Sequence, residues 1–238
     1  MIDPRKGTGV RVRLAGILPL VAAFAVAVAR ASAVPAGSAD EEARAMIRPL
    51  LSAGEVTASV TLERSDPFGG DPQRETGKLW FVPGRGLRYR SVGKNAQDIL
   101  ADHERQAFFL YDESQEKVYR APFDRAPARI QSLVMDPAGT LNRDLRAVPE
   151  SRTIAGRTRS GYRVRSAGSA ESTGVSIWIA ADPASKLPRW IAFASEAESL
   201  LVELRDITLR KTPRLSDLTL SAPKGTPEEP LDPRELLR

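Results

Sequence analysis

The stretch that decides the fold runs from Gly77 to Arg90 and reads G-K-L-W-F-V-P-G-R-G-L-R-Y-R. Leu79 to Val82 is rich in the aromatic and branched side chains that suit a pleated surface, and Pro83-Gly84 with Gly86 supplies turn chemistry. Leu87 to Val92 then resumes with apolar residues at nearly every second position. The stretch therefore predicts two β-strands joined by a tight turn, one face apolar beside a run of arginines.

The same period of two spreads outward. Val56, Ala58, Val60 and Leu62 alternate with Thr57, Ser59, Thr61 and Glu63, the pattern of an antiparallel strand with one buried face. Ser65 to Gln73 reads as the loop that leads into the hairpin. Further short strands are expected at Gln97 to Ala101, Ala107 to Asp112, Lys117 to Arg120, Tyr162 to Arg165, Val175 to Ala180, Trp190 to Ala194, Leu200 to Leu209 and Leu218 to Ser221. So many short strands in series predict a mainly β chain, an antiparallel meander curled into a barrel or half-barrel.

Helices interrupt this pattern twice. Ser38-Ala39-Asp40-Glu41 is a capping box, and Ala43, Met46, Ile47, Leu50 and Leu51 follow at the spacing of one helical face. Pro49 and Gly54 mark its end. The acids Asp40, Glu41 and Glu42 on its polar side disfavour anionic lipid, so the helix is expected to pack on the sheet. Between the two groups of strands, Pro127 to Asp136 sets Ile130, Leu133 and Val134 on one face of a second, short helix. Residues 137–160 are polar and weakly patterned, and read as loop with at most an edge strand.

Residues 1–33 stand apart from the fold. Arg5, Lys6, Arg11 and Arg13 form a positive leader, Leu14 to Val28 an apolar run of about 15 residues, and Ala31-Ser32-Ala33 a small-residue cleavage site. The run is short of the roughly 20 residues that span a bilayer, and Pro19 interrupts it. Cleavage and export are expected, and with no cysteine the exported chain is expected to carry no lipid anchor and no disulfide. The expected organisation is 1–33 as signal peptide, 34–226 as one domain and 227–238 as a Pro-rich charged tail.

Export changes the charge argument. The whole chain has 35 Lys and Arg against 30 Asp and Glu, and residues 1–33 hold five of the bases and one of the acids. What remains is 30 against 29, a net charge near +1, so the excess of base is a targeting feature and no nucleic-acid partner is expected. Alternating arginines such as Arg88 and Arg90, or Arg163 and Arg165, are read as solvent-facing strand positions that discourage edge aggregation rather than as a phosphate track.

Catalytic constellations are scarce. The one histidine, His103, lies in a turn-like Ala-Asp-His-Glu-Arg and is read as a solvated turn residue. One histidine and no cysteine disfavour a zinc or iron site, so no metal and no cofactor are expected. Neither a nucleophile elbow nor a phosphate-binding or dinucleotide-binding glycine loop is present. An enzyme is not expected.

The order of segments resembles that of the bacterial outer-membrane lipoprotein carrier family. It runs from an N-terminal helix through V-T-A-S-V-T-L, G-K-L-W-F-V-P, F-F-L-Y-D, a short helix, D-P-A-S-K-L-P-R-W-I and L-R-D-I-T-L to a closing L-T-L-S-A-P-K-G. The resemblance implies an incomplete antiparallel β-barrel of about eleven strands covered by short helices, with an apolar cavity for acyl chains. It implies a monomeric periplasmic chaperone that carries lipoproteins from an inner-membrane ABC release complex to an outer-membrane receptor. A periplasmic lipid- or lipoprotein-sensing regulatory domain on the same fold is the alternative.

On this reading Leu79, Trp80, Phe81, Tyr89, Phe109, Trp190 and Phe193 are candidates to line the cavity, and Ile130, Leu133 and Val134 to form a lid. The family's latching arginine falls just before the hairpin proline, where this chain has Val82, and Arg85 is the nearest arginine. The intact mass of the protein recovered after export is expected to match a chain that starts near Val34. A full-length species in the membrane fraction would overturn both export and a freely diffusing carrier.

Overall fold

The computed structural model describes residues 38–65, 70–93, 96–125, 145–166, 176–194 and 199–231. The expected lid residues Ile130, Leu133 and Val134, and the expected signal peptide, lie outside the described residues.

The quoted stretch forms the hairpin it predicts. Strand β2 spans Gln73–Val82 and β3 spans Gly86–Val92, with Leu79 opposite Tyr89, Trp80 opposite Arg88 and Phe81 opposite Leu87. Pro83, Gly84 and Arg85 make the turn, in which Arg85 N–H donates to the carbonyl of Val82 and Gly84 takes a φ of 73°. Gly77 has a different purpose. A Cβ there would stand 2.5 Å from the carbonyl oxygen of Arg90 and 2.5 Å from the Tyr89 ring, so the glycine lets that ring lie across the strand.

Helix α1 (Ser38–Ser52) leads into β1 (Glu55–Arg64), which pairs with β2. From β3 the chain meanders through β4 (Gln97–Asp102), β5 (Ala107–Asp112) and β6 (Lys117–Pro122), each antiparallel to the one before. A second meander runs through β7 (Leu145–Ile154), β8 (Arg157–Ser166), β9 (Ser176–Ala181), β10 (Pro188–Ala194) and β11 (Ser199–Arg210). Strand β11 returns to pair with the free side of β1. The result is one open sheet in the order β12-β6-β5-β4-β3-β2-β1-β11-β10-β9-β8-β7, an incomplete antiparallel barrel with a helix against it.

Residues 145–154 form the edge strand that the reading of 137–160 allowed for, ten residues long, and its arginines and Pro149 hide the period of two. Two expectations need correction. Leu218 to Ser221 was expected as a strand but begins within a 3-10 turn, Leu215–Leu218. Its apolar residues Leu218, Leu220 and Ala222 pack flat on the sheet, against Leu100, Phe109, Tyr111 and Val118, rather than pairing at an edge. The charged segment beyond Pro227 also joins the sheet. Strand β12 (Glu228–Pro230) pairs parallel with β6, and Leu231 is buried in the main core.

Alternation along each strand divides the side chains between two faces. On one face α1 contributes Ala43, Met46, Ile47 and Leu50, the predicted stripe, and every strand from β1 to β11 contributes the rest of a single core. The outer face carries two smaller clusters. One lies under residues 218–222; the other is Trp178, Ala180, Trp190 and Ala192, closed by Ile154 and Leu201.

A buried ion pair fixes the C-terminal segment to the outer face. Arg88 donates from Nε and Nη2 to the two oxygens of Asp98 at 2.8 and 2.6 Å, and both side chains are almost fully enclosed. The same guanidinium donates to the carbonyl of Asp217 and the hydroxyl of Ser221, while Ser221 N–H donates to Asp98. Trp80 stacks on this guanidinium at 4.9 Å. Removing one partner strands the other charge, so Asp98→Ala is expected to cost about 3–5 kcal/mol. At about 2–4 °C per kcal/mol, thermal unfolding should show a Tm lower by roughly 6–20 °C. The double variant Arg88→Met with Asp98→Leu should lose much less than the two single variants combined, and additive losses would refute this account of the pair.

Candidate functional site

The helix-covered face and the outer face each carry a candidate site, and the sequence candidates divide between them. Leu79, Phe81, Tyr89 and Phe193 lie in the core of the helix-covered face. Phe109 and Trp190 belong to the outer clusters, and Trp80 stacks there with Arg88 and Lys78. The reason is register: Trp80, Phe109 and Trp190 each sit one residue out of phase with an inward neighbour, Leu79, Phe108 or Ile191. Sequence alternation marked the inward set, but aromatic character alone drew in the other three.

Polar clips hold α1 on the apolar face. Asp40 is buried, and its Oδ1 accepts from the backbone N–H of Ala147 on β7 at 2.7 Å while Arg146 reaches Oδ2 at 3.3 Å. Two residues on, the hydroxyl of Tyr162 donates to Glu42, and that hydrogen bond, with some burial, pushes the phenol up to about 12. Beyond the helix end, buried Glu55 accepts from Arg210 Nη1 at 2.8 Å and from the N–H of Arg214 at 2.6 Å. Asp40 and Glu42 thus tie the helix to the second meander.

At one end of this face is a pocket of about 400 Å³. Leu62 and Leu200, both part of the core, line it, and Glu75, Gln73, Ser91, Gln97, Asp112 and Gln115 give it polar walls. Tyr89 reaches this end and donates from its hydroxyl to Glu75 at 2.8 Å. Burial, with the charge and hydrogen bond of Glu75, pushes the phenol far above its ordinary value, so it stays a donor.

Arg85, the latch candidate, sits on the β2–β3 turn and makes a solvent-exposed pair with Glu104 at 3.7 Å, on the turn between β4 and β5. His103, in that same turn, is half-buried edge-on against Phe123, and burial lowers its basicity although Asp102 opposes this. Among the described residues no group of three or more His, Asp or Glu side chains is placed to hold a metal ion.

The second site is a groove of about 530 Å³ on the outer face. The tip of the β7–β8 hairpin, with Thr153, Ile154, Ala155, Arg157 and Arg159, forms one wall; Arg74, Glu63 and Thr61 of β1 and β2 form another. Trp190 and Leu201 lie between, with Arg189, Glu203 and Arg205. Trp178 Nε1 donates to the carbonyl of Glu150 at 2.9 Å, which folds the hairpin over this face. The guanidiniums of Arg159 and Arg189 stack on Trp190 at 4.5 and 4.9 Å. Arg189 bonds Asp182 and Glu203, and Arg205 bonds Glu203. Backbone N–H of Ser185 and then the Arg189 guanidinium hold Asp182 down to about 2, so that pair is intact at neutral pH. Sequence reading missed this groove because its arginines come from four separate strands.

No protein-family model matches the chain, and no curated protein sequence matches it. Among solved structures, the chain is similar to a conserved protein of Thermus thermophilus at 14% identity and a TM-score of 0.49, over 82% of this chain and 100% of that one. It is similar to the MucA/MucB complex of Pseudomonas aeruginosa at 14% identity and a TM-score of 0.41, over 77% of this chain and 61% of that one. It is also similar to a LolA superfamily protein of Nitrosomonas europaea at 12% identity and a TM-score of 0.41, over 76% of this chain and 96% of that one. The solved structures similar to this chain thus include a member of the LolA superfamily.

Proposed function

We propose that the chain is an exported acyl-binding half-barrel that shields the lipid chains of lipoproteins and carries them across the periplasm. The observation that carries this reading is the width of the apolar inner face: every antiparallel strand contributes to it, whereas a single 15-residue helix, held by side-chain clips at Asp40 and Glu42, lies against it among the described residues. The order of segments in the sequence points the same way. Work on this face is burial, with no bond made or broken: each acyl methylene taken out of water gains about 0.8 kcal/mol, so partial burial of two or three chains keeps a lipoprotein dissolved. Loading and delivery then need membrane partners that compete for the chains, in the direction of an inner-membrane release complex and an outer-membrane receptor.

A fluorescent fatty acid titrated into the chain from Val34 onward is expected to bind saturably, to be displaced by a diacylated peptide, and to bind equally at low and high salt. No saturable binding would overturn the proposal. Capture of an unacylated protein segment on this face, with no acyl competition, would favour a regulatory domain instead.

The clip at Asp40 gives a second test. Asp40→Ala leaves the Ala147 N–H without its acceptor, a loss of about 1–3 kcal/mol, and Tm is expected to fall by roughly 2–12 °C. If α1 is the cover that cargo displaces, stopped-flow uptake of the fatty acid should quicken in this variant. A lower Tm with unchanged uptake would make α1 fixed core.

A further inference from the structure

The groove on the outer face is unused by acyl burial, since the whole sheet separates it from the apolar core. Its charge is lopsided: Arg74, Arg157, Arg159, Arg189 and Arg205 line it against Glu63 and Glu203. Elsewhere on the sheet, arginines such as Arg88, Arg90, Arg152, Arg163 and Arg210 pair with carboxylates. Inside the groove, Glu203 is shared by Arg189 and Arg205. Arg74, Arg157 and Arg159 have no carboxylate within ion-pair distance among the described residues, although Glu63 is the cross-strand neighbour of Arg74. The Nε of Arg159 is buried and has no hydrogen-bond partner there, while its guanidinium is held in place on the Trp190 ring.

Three unneutralised guanidiniums from two walls of one groove, one of them fixed by stacking, are arranged as a receptor for a compact anion with several acceptor oxygens. We infer that this groove binds a phosphate ester. The two sources of that chemistry are the headgroup of an anionic phospholipid at a membrane surface and a small soluble phosphate ester. Arg189 and Arg205 stay engaged with Glu203 and set the walls, and Arg74, Arg157 and Arg159 make the contacts.

The test compares the chain from Val34 onward, which contains every described element, with the triple variant Arg74→Gln, Arg157→Gln, Arg159→Gln. Sedimentation with phosphatidylglycerol vesicles, with phosphatidylcholine vesicles as reference, reads the membrane source. Calorimetry with sn-glycerol 1-phosphate reads the soluble one. Near an anionic surface each arginine contributes roughly fivefold in affinity, so the triple variant should bind phosphatidylglycerol vesicles on the order of a hundredfold more weakly. Binding should also fall with added salt.

Vesicle binding lost in the variant assigns the headgroup; glycerol phosphate binding lost in the variant, without vesicle binding, assigns the soluble ester. No binding in either arm, or binding that survives the triple variant, overturns the inference. Because Arg157 and Arg159 lie on the hairpin over the outer face and Arg74 only rims the pocket at the end of the inner face, the variant should keep its thermal unfolding curve and its fluorescent fatty-acid binding. Loss of both would mean that the arginines support the fold, and would refute a phosphate site. Failure here leaves acyl burial on the other face untouched.

Discussion

The ladder between β1 and β11 is the constraint on which the rest of the structure depends. The chain makes two meanders, and β1 is the strand at which they meet: β2 on one side belongs to the first, β11 on the other to the second. That pairing joins Glu55 to Arg210 and Arg64 to Leu200 across more than half of the chain, so the loop between them must close before any of its hydrogen bonds form. Where β11 carries an extra residue, opposite Thr57 to Ser59, Asp206 takes a φ of 52° and the strand bends. Buried Glu55 reinforces the same seam through Arg210 and the backbone of Arg214. Without it the inner face would be two separate surfaces, neither wide enough to form one core.

A sheet open at its edges and curved about α1 has two faces to manage. The inner one is apolar between its margins and holds most of the buried apolar side chains. The outer one is covered in patches, by the 215–223 segment on one half and by the β7–β8 hairpin tip on the other. Each patch uses a tryptophan with cations stacked on it: Trp80 with Lys78 and Arg88, Trp190 with Arg159 and Arg189. The arginine stems shield the rings and their heads stay polar, which lets large aromatics sit on a convex surface without forming a sticky patch. In the first patch Asp98 neutralises the cation; in the second Arg159 is left without a carboxylate among the described residues. That difference separates a structural strap from a groove with charge to spare.

Division of labour between the faces also explains why polar groups sit where they do. On the inner side, ionic groups are kept to the margins, at Asp40 and Glu75, where each closes an end of the apolar face. An unpaired charge in the middle would be costly, and none of the described core positions carries one. An acyl chain entering such a face meets few groups that need water.

The sequence by itself determined the inner face. Period-two alternation in Val56 to Leu62 and in Leu79 to Tyr89 is enforced by the pleat, and the stripe Ala43, Met46, Ile47 and Leu50 by the helical turn, so both could be read locally. An open antiparallel barrel followed from that pattern and from the order of segments. What only the tertiary structure decided is which residues from distant strands meet. Trp80, Phe109 and Trp190 were legible as strand aromatics, but their side of the sheet depends on register with neighbours. The edge strand β7, the flat-lying 218–222 run and the parallel β12 carry weak local signals because their partners lie across the fold and supply the order that their own residues lack. Arg74, Arg157, Arg159 and Trp190 come together because one hairpin tip folds over the outer face, and no spacing along the chain encodes that contact.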